Sequence, residues 1–172
     1  IFHIGNATST TSTLNLINNS ITNTSTAAGA GTTVAYRIGT TATFANYAST
    51  SNNNLFYAGT PSAANLIFTD GTNAAQTLAA YKALSGLSPR DQASVTENLV
   101  PKFLSTTGSA STYLHMNSGV ASAVQNAGSF GAPAITDDYD GQARATSPGP
   151  PAPDIGADEV TGLEATPPVI TY

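Results

Sequence analysis

The chain has 172 residues, 5 Lys and Arg against 10 Asp and Glu, a net charge of −5 and 9% charged residues, where an ordinary soluble domain carries about 25%. Five scattered cations cannot make the basic stripe that binds nucleic acid, and the lack of Cys excludes disulfides, a thiolate nucleophile and Cys-ligated metal centres. The 40% of apolar residues suffices for a core, but no apolar run reaches the roughly 18 residues of a membrane-spanning segment.

The first seventy residues read as short strands between Gly and Asn punctuation. Leu14-Asn15-Leu16-Ile17, Ser20 to Thr24, Thr33 to Ile38, Asn52 to Tyr57 and Asn65 to Thr69 are the candidates. Asn18-Asn19-Ser20-Ile21 and Asn52-Asn53-Asn54-Leu55 share paired Asn before an aliphatic, 34 positions apart. Asn tolerates the left-handed region best among non-Gly residues, so Asn18, Asn19, Asn53 and Asn54 mark sharp turns. Their fixed period fits stacked β-coils; two Asn turns of a sandwich are the plainer alternative.

Ala74 to Leu84 changes character, with Leu78, Tyr81 and Leu84 three apart. That spacing predicts a helix, N-capped by Thr72 or Asn73 and stopped near Gly86. Short strands are expected again at 93–95, 102–104 and 113–115, then a helical turn at 121–126. Tyr36, Phe44, Tyr47, Phe56, Tyr57, Phe68 and Tyr81 follow strand alternation and read as core stacks rather than a sugar platform.

Six of the ten acids lie between Asp137 and Glu159, and Arg144 is the only cation among them. Arg144 is expected to pair with Asp154 or Glu159, with Asp137 and Asp140 capping turns. Crowded hard carboxylates also make Asp137, Asp138 and Asp140 candidates for Ca²⁺, although EF-hand spacing fails there. No other cofactor is expected. Residues 1–69 contain no Asp or Glu, so that stretch lacks the carboxylate pair of a glycosidase. His3 and His115 stand alone in sequence, and no Gly-x-Ser-x-Gly elbow occurs. The chain therefore reads as non-enzymatic.

Asp138-Tyr139-Asp140-Gly141-Gln142-Ala143-Arg144 followed by Pro153-Asp154-Ile155-Gly156-Ala157-Asp158-Glu159 resembles the closing motif of secreted right-handed parallel β-helix proteins of Bacteroidetes-type bacteria. That motif runs Asp-x-x-Gly-x-x-Arg, then Pro-Asp-Ile-Gly-Ala-x-Glu. Pro89 to Val95, Pro101 to Phe103 and the Leu114 to Gly128 stretch also resemble that pectate-lyase-like family. The resemblance implies an all-β fold, a right-handed parallel β-helix with one short α-helix. It divides the chain into last coils (1–72), a helix with irregular coils (73–128), a capping motif (129–162) and a linker (163–172). Arg144, Asp154, Gly156 and Glu159 would hold the cap.

The function implied is a non-catalytic structural or adhesive segment that ends a solenoid in a large extracellular or cell-surface protein, exported in many relatives by the type IX route. The alternative is a carbohydrate-binding or polysaccharide-degrading β-helix whose active site lies upstream. Neighbouring modules of one long chain, surface glycans or other cell-surface proteins are the expected partners. Nucleic acid is not among them, and no membrane-spanning segment is expected.

Overall fold

A computed structural model describes residues 1–4, 13–39, 43–130, 135–148 and 151–161. The expected linker at 163–172 lies outside the described residues. The chain divides into two compact units, Ile1–Asn98 and Leu99–Tyr172. No helix among the described residues is long and apolar enough to cross a membrane.

The first unit holds the named strands: β1 (Phe2–His3), β2 (Ser20–Thr22), β3 (Thr33–Ile38), β4 (Leu55–Tyr57), β5 (Asn65–Thr69) and β6 (Ala74–Ala75), then helix α1 (Leu78–Lys82). One sheet runs β1-β3-β5-β6 and a second pairs β2 with β4. β1 and β5 both lie parallel to β3, and β2 lies parallel to β4. β6 turns back antiparallel on β5, pairing Phe68 with Ala75 and Thr69 with Ala74. The cause is local. Asp70 accepts the N–H groups of Thr72 and Asn73 (2.9 and 2.6 Å), and Gly71 sits at φ 90.

These elements correct the expected fold. The described residues do not form the expected right-handed parallel β-helix with a terminal cap. Two small sheets lie beside a helix in a mixed α/β fold, neither curled nor closed into a solenoid or barrel. The physical reason lies in direction. The turn from Asp70 to Asn73 ends the parallel order with an antiparallel pair. The reading of the chain as a segment that ends and caps a solenoid loses its basis with the solenoid itself.

Helix α1 is shorter than its sequence stripe. Ala74 and Ala75 join the sheet, and Thr77 is the N-cap in place of Thr72 or Asn73, its hydroxyl accepting the Ala80 N–H at 3.1 Å. Leu78 and Tyr81 face the core, and Leu84 packs against it beyond the helix end. Asn18 and Asn53 adopt φ 59 and φ 54, so each turns the chain in the left-handed region before its strand. The next residues are linked: Asn54 Oδ1 accepts from the Asn19 backbone N–H at 3.0 Å and from Asn19 Nδ2 at 3.3 Å.

Tyr36 lies at the centre of the core, its ring 5.2 to 6.4 Å from Tyr47, Phe68, Phe56 and Tyr81. All five aromatics are fully buried, and Phe44 packs against the cluster from the edge. Inside this apolar volume lies one carboxylate, Asp91, with no exposed surface. Its Oδ2 accepts the hydroxyls of Tyr47 (2.7 Å) and Tyr81 (2.8 Å). Its Oδ1 accepts Asn54 Nδ2 (3.0 Å) and the Ser94 hydroxyl (2.7 Å). Burial pushes the phenols of Tyr36, Tyr47 and Tyr81 well above their ordinary value, and the Asp91 charge adds to the rise.

The second unit is built differently. It holds a 3₁₀ turn at Val100–Lys102 and isolated bridges: Phe103 with Met116, Ser105 with Tyr113, Asp137 with Ala143. The strands expected at 102–104 and 113–115 are these bridges, and residues 123–126 form turns. Its buried apolar side chains among the described residues are Leu99, Met116, Val124 and Ile155. Gly128 lies so close to the next segment that a Cβ there would meet the Pro153 carbonyl at 2.5 Å, which only Gly permits.

Replacing Asp91 by Ala leaves four buried donors without their acceptor, and is expected to destabilise the first unit by about 3 kcal/mol or more. Urea unfolding followed by tyrosine fluorescence measures this. Adding Tyr47→Phe and Tyr81→Phe to Asp91→Ala recovers part of the loss, because two of the orphaned hydroxyls are then gone. A triple variant no more stable than Asp91→Ala refutes this account of the carboxylate.

Candidate metal centre

The acidic stretch of the second unit is organised around Arg144, itself 9% exposed. Its Nε meets Glu159 Oε2 at 2.9 Å, and its Nη2 donates to the carbonyls of Asp154 and Gly156, both at 2.9 Å. Arg144 thus takes the carboxylate of Glu159 and the backbone, not the carboxylate, of Asp154. The Asp154 side chain accepts the N–H groups of Asn126 (2.7 Å) and Val160 (2.8 Å), and Glu159 Oε2 accepts the Asp154 N–H at 3.0 Å. Gly156 sits at φ 116, which puts its carbonyl beside the guanidinium at a backbone angle that suits Gly.

Asp138 fixes the neighbouring turn. Its Oδ1 accepts the N–H groups of Asp140 and Gln142, both at 2.8 Å, and its Oδ2 accepts the Glu159 N–H at 3.0 Å. Partial burial raises its pKa, but these N–H donors and Arg144 outweigh that and hold it below the ordinary carboxylate range. Asp137 accepts from the Thr136 hydroxyl at 3.2 Å. Turn capping therefore falls to Asp138, where the sequence suggested Asp137 and Asp140.

Asp140 is aimed elsewhere. Its Oδ2 lies 3.3 Å from His115 Nδ1. Asp158 joins them: one potential ligand atom from each of His115, Asp140 and Asp158 lies within 4.8 Å of the others. The three residues come from distant parts of the chain, and the backbone around each is tied. The Met116 N–H donates to Asp158 Oδ2 at 2.7 Å, and the Tyr139 N–H donates to the Ala157 carbonyl at 2.9 Å. Asp140 is exposed, whereas His115 and Asp158 are half-buried. The Tyr139 ring stands edge-on to His115 at 6.5 Å.

The donor set is one imidazole and two carboxylates. Imidazole nitrogen suits first-row divalent ions such as Zn²⁺, while Ca²⁺ calls for six to eight oxygens. Of the expected Ca²⁺ candidates, Asp137, Asp138 and Asp140, the fold brings only Asp140 into this cluster. His115 escaped the sequence reading because 25 residues separate it from Asp140 and 18 more separate Asp140 from Asp158. The other predicted residues gather elsewhere. Asn54 reaches both Asn19 and Asp91 in the first unit, while Arg144, Asp154, Gly156 and Glu159 share one network in the second.

No family model matches the chain, and no curated protein and no solved structure matches it. The resemblance to secreted β-helix proteins is corrected by the fold: the two small sheets do not have its form. The functions drawn from it fall as well, both the solenoid cap or adhesin and the pectate-lyase-like carbohydrate module. The seven-residue motif around Arg144 describes a local hydrogen-bonded loop, and such a loop does not fix the architecture that carries it.

Burial pushes Asp154 up to about 6, with the Glu159 charge adding to the rise, against the two N–H bonds and Arg144. The folded state then holds the proton more tightly than the unfolded chain. The contribution of Asp154 to stability is best below its ordinary value of 3.8 and worsens as pH rises to about 6. Relative to Asp154→Asn, the natural protein is expected to lose up to about 3 kcal/mol of stability between pH 4 and pH 7. Paired urea titrations across that range measure the difference. A difference that stays flat, or that grows in the opposite sense, refutes the assignment.

Proposed function

We propose that this chain is a binding module of a secreted or cell-surface protein, and that its second unit takes up a first-row divalent cation. The observation that carries this reading is the convergence of His115, Asp140 and Asp158 on one point. Three protein ligands leave coordination positions for water or for a group on a partner. The two cations of the second unit are directed to other groups: Arg144 to Glu159 and two carbonyls, Lys102 to the Ala121 carbonyl. A divalent ion would balance the charge of Asp140 and Asp158 where they meet the imidazole.

Composition supports the setting. A chain that is a quarter Ser and Thr and has few charges suits the outside of a cell better than a crowded cytosol. Other modules of the same chain and molecules of the cell surface are its natural partners. Binding fits the residues better than catalysis. The most deeply buried carboxylate, Asp91, is engaged with two tyrosines, Asn54 and Ser94 below the surface.

Calorimetric titration of the full chain with Zn²⁺ is expected to show one site. His115→Ala and Asp158→Ala should each weaken it about a hundredfold, and acid should release the ion, because imidazole and carboxylate bind metal only when deprotonated. Absence of binding in the natural protein, or unchanged affinity in both variants, refutes the reading.

A further inference from the structure

We infer that the ion at His115, Asp140 and Asp158 is an exchangeable staple, which makes the folding of the second unit conditional on metal supply. The inference rests on the metal reading above and adds a consequence to it. The starting point is the contrast between the two units. Of the buried apolar side chains among the described residues, sixteen belong to the first unit and four to the second. Among its described residues the second unit has no named strand, and its order comes from polar ties between loops. The chain also has no Cys, so no disulfide can cross-link those loops.

A small region with few buried apolar groups needs some cross-link to hold one conformation. The three ligands are placed to supply it. His115 lies between two bridged segments: the Leu104 N–H donates to the His115 carbonyl at 2.8 Å, and Met116 pairs with Phe103. Asp140 lies in the turn held by Asp138, and Asp158 precedes Glu159, the partner of Arg144. An ion bound to all three closes loops of 25 and 18 residues between the ligands. It thereby removes conformational freedom from the unfolded chain, as any cross-link does.

The open coordination positions shape the outcome. Three protein ligands, one of them on the exposed Asp140, leave coordination positions that water or a competing ligand can reach, which gives the ion a route for exchange. Stability gained by binding then follows the free ion concentration relative to the dissociation constant. In the absence of ion, the charges of Asp140 and Asp158 repel, and the loops that carry them open more often.

Hydrogen exchange on the full chain tests this, with and without Zn²⁺ and with Mg²⁺ as the comparison ion. The informative amides are Met116, Tyr139 and Glu159, each bonded across segments. At a Zn²⁺ concentration about 100 times the dissociation constant, their protection should rise about a hundredfold. Tyr36 in β3 serves as the internal reference and should not change. His115→Ala should lose the Zn²⁺ effect while keeping the protection of Tyr36. Zn²⁺ binding seen by calorimetry without added protection at the three amides overturns the staple and leaves the metal site standing. Failure to bind Zn²⁺ at all overturns both. Equal protection from Mg²⁺ overturns the assignment to imidazole-containing ligation.

Discussion

A carboxylate enclosed by tyrosine rings sets the terms for the first unit. An ion in an apolar interior is tolerated only when its oxygens are fully hydrogen-bonded. Asp91 meets that condition with two phenols, an amide and an aliphatic hydroxyl. Each donor comes from a different part of the chain: Tyr47 after a 3₁₀ turn, Tyr81 on α1, Asn54 before β4, and Ser94 three residues on. The geometry of one side chain thus fixes the helix, the second sheet and the loop after α1 relative to the core. The chain reaches this position through Asp91 itself in the left-handed region, at φ 55. Lys82 lies nearby, donating to the carbonyls of Gln92 and Ser94. Its positive charge compensates part of the buried negative one without forming a direct pair.

The same constraint reaches the sheets through Asn54. Its side chain donates to Asp91 and to the Leu16 carbonyl, and it accepts from Asn19. Neighbouring Asn residues therefore have separate roles. Asn18 and Asn53 supply the turn, while Asn19 and Asn54 supply the cross-links. Ser51 adds a parallel tie, its hydroxyl accepting the Leu16 N–H at 3.1 Å. In a chain with so few charges, amides and hydroxyls perform inside the fold the polar pairing that salt bridges perform elsewhere.

Local signals in the sequence read well where one residue dictates geometry. The β-branched and aromatic runs became β3 and β5, Asn18 and Asn53 became left-handed turns, and the expected aromatics other than Tyr57 joined or packed against the core. The helix shortened against the helix preference of Ala74 and Ala75, because both pair with β5 and the Thr77 hydroxyl caps the helix after them. Architecture was not legible. Short parallel strands at a near-constant spacing fit a stacked coil and an open two-sheet fold equally well. The antiparallel β6 that separates the two depends on the four-residue turn from Asp70 to Asn73. Asp91 gave no signal, since it sits after Pro89-Arg90 in a polar stretch and its partners lie as far back as Tyr47. The His115 cluster was hidden for the same reason: its members meet only once the loops are folded.

The six acids between Asp137 and Glu159 can be separated by what already satisfies them. Backbone N–H groups occupy Asp138 and Asp154, and a guanidinium with a backbone N–H occupies Glu159. Such carboxylates have little reason to leave their donors for a hydrated cation, because N–H bonds to a charged acceptor rank among the stronger ones. Asp140 differs. It faces an imidazole at 3.3 Å, a side chain that is itself a common metal ligand. Asp158 keeps the Met116 N–H on one oxygen, which orients the carboxylate and leaves its second oxygen to turn toward the others. Carboxylate crowding alone pointed to Asp137, Asp138 and Asp140 without distinguishing among them. Of these, Asp140 faces His115, a ligand in its own right, and Asp158 has one backbone N–H on one of its oxygens, which is the ground for proposing the metal at His115, Asp140 and Asp158.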